Sequence, residues 1–91
     1  MSDCCLLARI CGQVQGVGFR YHTQHQAQTL GLRGWVQNLP DGSVETLICG
    51  SPEQVKIMQQ WLKQGPAYAS VSSVNFENSE LPAQQSGFHI L

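Results

Sequence analysis

The chain has 91 residues, an apolar fraction of 42% and a formal net charge of −1. That length suits one compact domain over 1–91, with a modest core and no room for a second. Five lysines and arginines, dispersed along the chain, argue against a nucleic-acid backbone as partner, because such binding uses many cations to displace counterions. No segment reaches the roughly 20 apolar residues that cross a bilayer. The start, "MSDCCLLARICG", carries Asp3 and Arg9 and lacks the basic end and unbroken apolar run of a signal peptide. The expected location is the cytoplasm.

"CCLLARIC", residues 4–11, reads as a strand ended by Gly12, and a glycine loop fills 12–19. Residues 21–30, "YHTQHQAQTL", hold no Gly or Pro and predict a helix. Thr23, Ala27 and Leu30 recur at helical spacing to face a sheet, and Gly31 suits the position past the helix end. "LRGWVQNL", 32–39, and "SVETLIC", 43–49, are strand-like and flank the turn "PDG", which predicts an antiparallel hairpin. Val44, Thr46 and Ile48 share one face of the second of these strands. Ser51, Pro52 and Gln54 mark a capped helix start. Val55, Met58, Trp61 and Leu62 give that helix its apolar face, and Gly65 closes it. "ASVSSVNFE", 69–77, predicts a fourth strand, the polar residues 78–86 a loop, and "GFHIL", 87–91, a short fifth strand.

The order is β-α-β-β-α-β with a short strand added. Two apolar helix faces can both bury against one sheet face. The expected architecture is a ferredoxin-like α/β sandwich, its sheet antiparallel and both helices on one side. First and third strands are then antiparallel neighbours, so the start of one lies near the end of the other. The cysteines, at 4, 5, 11 and 49, form no C-x-x-C pair. They read first as small buried apolar side chains in a reducing cytosol. A disulfide from Cys4 or Cys5 to Cys49 is the second reading, which this topology permits.

The glycine loop is the first candidate for chemistry, its plain alternative being a tight β-α turn with a surface arginine. Glycines between a strand and a helix let several backbone N–H groups converge, and such a nest at a helix N-terminus suits an anion. Arg20 stands where loop becomes helix, and its planar fork can hold two phosphate oxygens. Val14 to Arg20 therefore reads as a cradle for one small phosphate. The loop lacks the G-x-x-x-x-G-K-[ST] pattern and the Mg²⁺ ligands of a nucleotide-cleaving site. Asn38 ends the second strand. In the sandwich it reaches the same sheet edge as the loop. His22 and His25 are i, i+3 on a helix with no acid or thiolate nearby in sequence, and read as solvated polar residues rather than half a metal site. His89 reads as structural, and Asp41 as a turn former.

"GQVQGVGFR", 12–20, with the Thr, Ala and "LGL" that follow it, and "GWVQNLPDGSVE", 34–45, carried on to Gly50, resemble the acylphosphatases. The resemblance runs from about Leu6 to Gly50 and is weaker afterwards, although "GFHIL" is similar to the family's last strand. It implies a ferredoxin-like fold and metal-independent hydrolysis of small-molecule acyl phosphates to carboxylate and phosphate, by in-line attack of an oriented water. It implies that Arg20 binds phosphate, that Asn38 orients the water, and that the backbone of Gln15, Gly16, Val17, Gly18, Phe19 and Arg20 cradles the phosphate. It implies no metal and no organic cofactor. The enzyme is expected to act as a monomer. The competing reading is a non-enzymatic ferredoxin-like module that binds a small anion or a partner protein. An RNA-binding sheet is disfavoured, because its central strands would display aromatics, and "CCLLARIC" and "SVETLIC" hold none.

Overall fold

The computed structural model describes residues 3–80 and 86–91. Among them run β1 (Cys4–Gln13), α1 (Phe19–Thr29), β2 (Arg33–Asn38), β3 (Val44–Gly50), α2 (Pro52–Gln64), β4 (Ser70–Ser79) and β5 (Phe88–Ile90). The strands form one sheet in the order β4-β1-β3-β2-β5. Both helices bury into a single cluster on one face of it, where Phe19 and Ala27 of α1 and Val55, Met58 and Leu62 of α2 meet Ala8, Ile10, Val36, Val44 and Ile48. Each large apolar side chain fully buried there contributes about 1.5–3 kcal/mol. Phe19 and Trp61 pack as a tilted pair, ring centroids 6.0 Å apart, and join the two helices.

The ferredoxin-like arrangement is the one expected from the element order. The sheet, however, is mixed rather than antiparallel: β5 runs parallel to β2, pairing Gly34 with Phe88 and Val36 with Ile90. The reason is topological. β4 ends beside Cys5, at the same end of the sheet where β2 begins, since Arg33 pairs with Cys49. A chain arriving at the far edge from that end can only run alongside β2. Strand β1 also continues past Gly12 to Gln13. The register against β4 shifts between Cys11 and Gly12, and a Cβ on Gly12 would fall 2.1 Å from the Ser70 carbonyl oxygen. The glycine thus accommodates a bulge and does not end the strand. Asn78 and Ser79, expected in a loop, extend β4; residues 81–85 of that expected loop lie outside the described residues.

The cysteines also depart from the first reading. Cys5 and Cys49 are joined in a disulfide across β1 and β3, while Cys4 and Cys11 are free and half-buried. Alternation along the strands puts the bond on the sheet face away from the helices. There it packs with buried Leu47 and half-buried Leu7 and Trp35. Among the described residues no helix is long and apolar enough to cross a membrane.

Candidate active site

The site sits where β1 hands over to α1. The sequence predicts the helix from residue 21; it begins at Phe19, because Gly18 occupies the N-cap in the left-handed conformation, with φ 76°. Gly16 shares that φ of 76°. These positive values are costly for residues with a Cβ, and they let the chain turn sharply from β1 into α1. No side chain caps α1, and its first turn holds no acid. Its first N–H groups therefore point outward without a partner from their own helix. At α2 the same groups are provided for: Ser51 Oγ accepts from Gln54 N, Pro52 opens the helix and Glu53 stands in its first turn.

A cleft of about 190 Å³ opens at this point, lined by Val14, Gly16, Gly18, Phe19, Arg20, Tyr21, Asn38 and Ile90. The two side chains singled out in the sequence, Arg20 and Asn38, thus meet at one opening. Arg20 lies in the first turn of α1 and is half-buried. Its Nη1 donates to the Leu91 backbone oxygen at 3.2 Å, which steadies the guanidinium beside the cleft. Asn38 is exposed at the end of β2. It comes to the same sheet edge as the loop because β1 and β2 run in the same direction, with β3 between them.

The turn after Asn38 is tied down from two sides. Gln15 Nε2 donates to the carbonyl oxygens of Leu39 and Ser43, both at 2.8 Å. On the open face of the sheet, the Asp41 carboxylate accepts from Ser43 Oγ at 2.5 Å and from Ser43 N at 2.9 Å, and pairs with Arg9. The Ser43 hydroxyl, then its amide, then Arg9 hold the Asp41 carboxyl at about 2, below its ordinary 3.8. This agrees with Asp41 as a turn former. His22 and His25 are exposed, and exposed His89 places a ring nitrogen 2.8 Å from the Ser86 carbonyl oxygen. Among the described residues no three His, Cys, Asp or Glu side chains cluster as a metal site.

Sequence reasoning missed three contributions. Gln15 entered only through its backbone, yet its side chain spans to the β2–β3 turn. Tyr21 and Ile90 line the cleft, and the Leu91 backbone oxygen meets Arg20. The ties of Gln15 and Arg20 span 24 and 71 positions, which no local pattern announces, whereas Tyr21 reaches the cleft simply as the neighbour of Arg20.

A two-helix, five-strand ferredoxin-like domain with an arginine and an uncapped helix start at one cleft defines a small anion-handling α+β protein. A sequence model of the acylphosphatase family matches residues 7–90, and the chain belongs to that family. It is 48% identical over 89 residues to an acylphosphatase of Aeromonas salmonicida, covering 98% of each chain. It is 47% identical over 91 residues to one of Vibrio cholerae, covering 100% of each. A solved acylphosphatase structure from Coxiella burnetii superposes with a TM-score of 0.92 at 38% identity, covering 98% of this chain and 93% of that one.

Proposed function

We propose that this chain hydrolyses acyl phosphates through Arg20 and Asn38, with the backbone of Gln15 to Arg20 as the phosphate cradle. What carries the reading is the convergence of Arg20, the loop glycines and Asn38 on one cleft. An acyl phosphate is a mixed anhydride, and its leaving group is a carboxylate. That anion departs without a proton, so the site needs no general acid. Water attacks phosphorus, the bond from phosphorus to the acyl oxygen breaks, and its electron pair leaves with the carboxylate. The transition state is loose, so positioning and electrostatics supply most of the catalysis.

Arg20 and the loop amides neutralise charge on the equatorial oxygens. The carbonyl oxygen of Asn38 accepts a hydrogen bond from the attacking water and holds it in line. An amide is too weak a base to remove the proton, which passes to the departing phosphate or to solvent. No step calls on a metal or cofactor.

The protein acts as a cytoplasmic monomer on a free small molecule, without nucleic acid; the small size of the cleft supports the small substrate, and the dispersed cations speak against nucleic acid. A disulfide in that reducing setting needs protection, and Cys5 and Cys49 have it, being 3% and 0% exposed and so closed to thiolate attack. Phosphate release from benzoyl phosphate, wild type beside Arg20→Ala, tests the assignment. Turnover that depends on Arg20 is expected. A wild type that binds phosphate without turnover would return the chain to the anion-binding reading.

A further inference from the structure

We propose that the side chain of Gln15 is a positioning residue that sets the spacing between the phosphate cradle and Asn38; the inference rests on the reaction assigned above. Gln15 Nε2 meets two carbonyl oxygens, of Leu39 and Ser43, at 2.8 Å each. Only the NH₂ end of a carboxamide can face two acceptors, so the amide has one orientation here. Leu39 directly follows Asn38, and Ser43 closes the same turn. One side chain of the cradle loop thus holds both ends of the turn that follows Asn38.

These bonds are not what makes the turn. The Leu39 carbonyl already accepts from Gly42 N at 3.1 Å, and the Ser43 carbonyl from Leu39 N at 2.8 Å. The turn closes on its own backbone, and Gln15 adds the link from turn to loop. Such a link matters because cradle and asparagine hang on strands that are not neighbours: β3 separates β1 from β2. No single ladder fixes their separation. In-line attack is sensitive to that separation, since a misplacement of about 1 Å can lower the rate about 10²-fold.

The test compares wild type, Gln15→Met and Gln15→Leu with benzoyl phosphate as substrate and inorganic phosphate as inhibitor. Met keeps the length and removes the donors; Leu removes the donors and shortens the side chain, and neither adds a charge beside the cradle. Both variants are expected to lose about 10- to 100-fold in kcat, while the phosphate inhibition constant stays within about twofold. A support of the fold alone would not split the two in this way. Wild-type kcat in both variants overturns the inference and leaves the enzymatic reading standing. Joint loss of kcat and phosphate binding also overturns it, and makes Gln15 part of the cradle's own support. A wild type without turnover overturns the enzymatic reading and this inference with it.

Discussion

The two ends of the β1–β3 strand pair are built on opposite principles. At one end Cys5 and Cys49 face each other in the ladder, and a disulfide joins them within a cluster of Leu47, Leu7 and Trp35. At the other, past the pairing of Ile10 with Val44, the strands give way to the cradle loop and the 39–43 turn. Those two segments are held by hydrogen bonds from Gln15 and by the Arg9–Asp41–Ser43 group. The locked end holds a covalent cross-link in apolar surroundings. The open end presents left-handed glycines, a helix start without a side-chain cap and a half-buried arginine, the arrangement proposed above to take the phosphate. Stability and activity should therefore respond to different residues on the same two strands.

The largest effect falls at the open end. Arg20→Ala should lower kcat/KM by about 10³-fold or more, the scale of a charge clamp on a transferring phosphoryl group. Its melting temperature should barely move. Arg20→Lys should not restore activity, because an ammonium lacks the planar fork. Phosphate release from an acyl phosphate measures both, and an active lysine variant would reduce the arginine to a simple point charge. At the locked end, the double variant Cys5→Ala/Cys49→Ala should do the converse. The bond closes a separation of 44 residues, for which chain entropy gives a loss of about 4 kcal/mol in urea unfolding. Its kcat, read at a temperature where it remains folded, should match wild type within about twofold. A kcat as low as that of Arg20→Ala would show that the two ends are coupled and erase the distinction between them.

Asn38→Ala sharpens the same contrast inside the site. Loss of a positioning group should cut kcat by about 10²–10³-fold. The inhibition constant of inorganic phosphate should change little, because the cradle and Arg20 remain. Full kcat in this variant would mean that some other group steers the water.

What the sequence made legible follows from how local each feature is. That Gly16, Gly18, Arg20 and Asn38 would share one opening is readable because each lies in a short local motif and the element order brings the two motifs to one end of the sheet. The α2 start is readable because Ser51, Pro52 and Gln54 act through their own side chains and ring. The α1 start is not: its N-cap is a glycine with no side-chain bond, so the first helical residue lies two positions earlier than the pattern suggests. Gly12 shows the opposite error, since a glycine that relieves a bulge looks the same in sequence as one that ends a strand. Parallel β5 depends on which sheet edge the chain reaches, a property of the whole sheet, whereas the pairing of β1 with β3 is enough to offer Cys4 or Cys5 as partner of Cys49, and the register selects Cys5. The ties that aim the site, from Gln15 and Arg9 to the β2–β3 turn, span 24 to 34 positions. Spacing along the chain brings the candidate groups to one end of the sheet and is silent on what holds them apart.

The smallest effect tests the outer tie of that turn. The Asp41 carboxyl titrates at about 2 in the folded chain, lowered from 3.8 first by the Ser43 hydroxyl, then by the Ser43 amide, and last by Arg9. Because the folded value is depressed, the stabilisation is fully present above the unfolded value near 4 and is lost as the pH falls through about 2. The carboxylate is exposed, so solvent and salt screen it and the change in stability should be small. A carboxyl NMR titration should find the Asp41 midpoint near 2 in wild type, and in Ser43→Ala, which removes the hydroxyl and keeps the amide of residue 43, it should rise part of the way toward 3.8. An unmoved midpoint in Ser43→Ala would transfer the role to that amide and Arg9. Asp41→Asn keeps an acceptor for Ser43 and removes only the charge. Its kcat above pH 4 should therefore stay within about twofold of wild type, because Gln15 still ties the turn to the cradle from the other side. Two ties to one turn then have separable readouts: the outer one shows in acid stability, and the inner one, if it positions the site as proposed, shows in kcat.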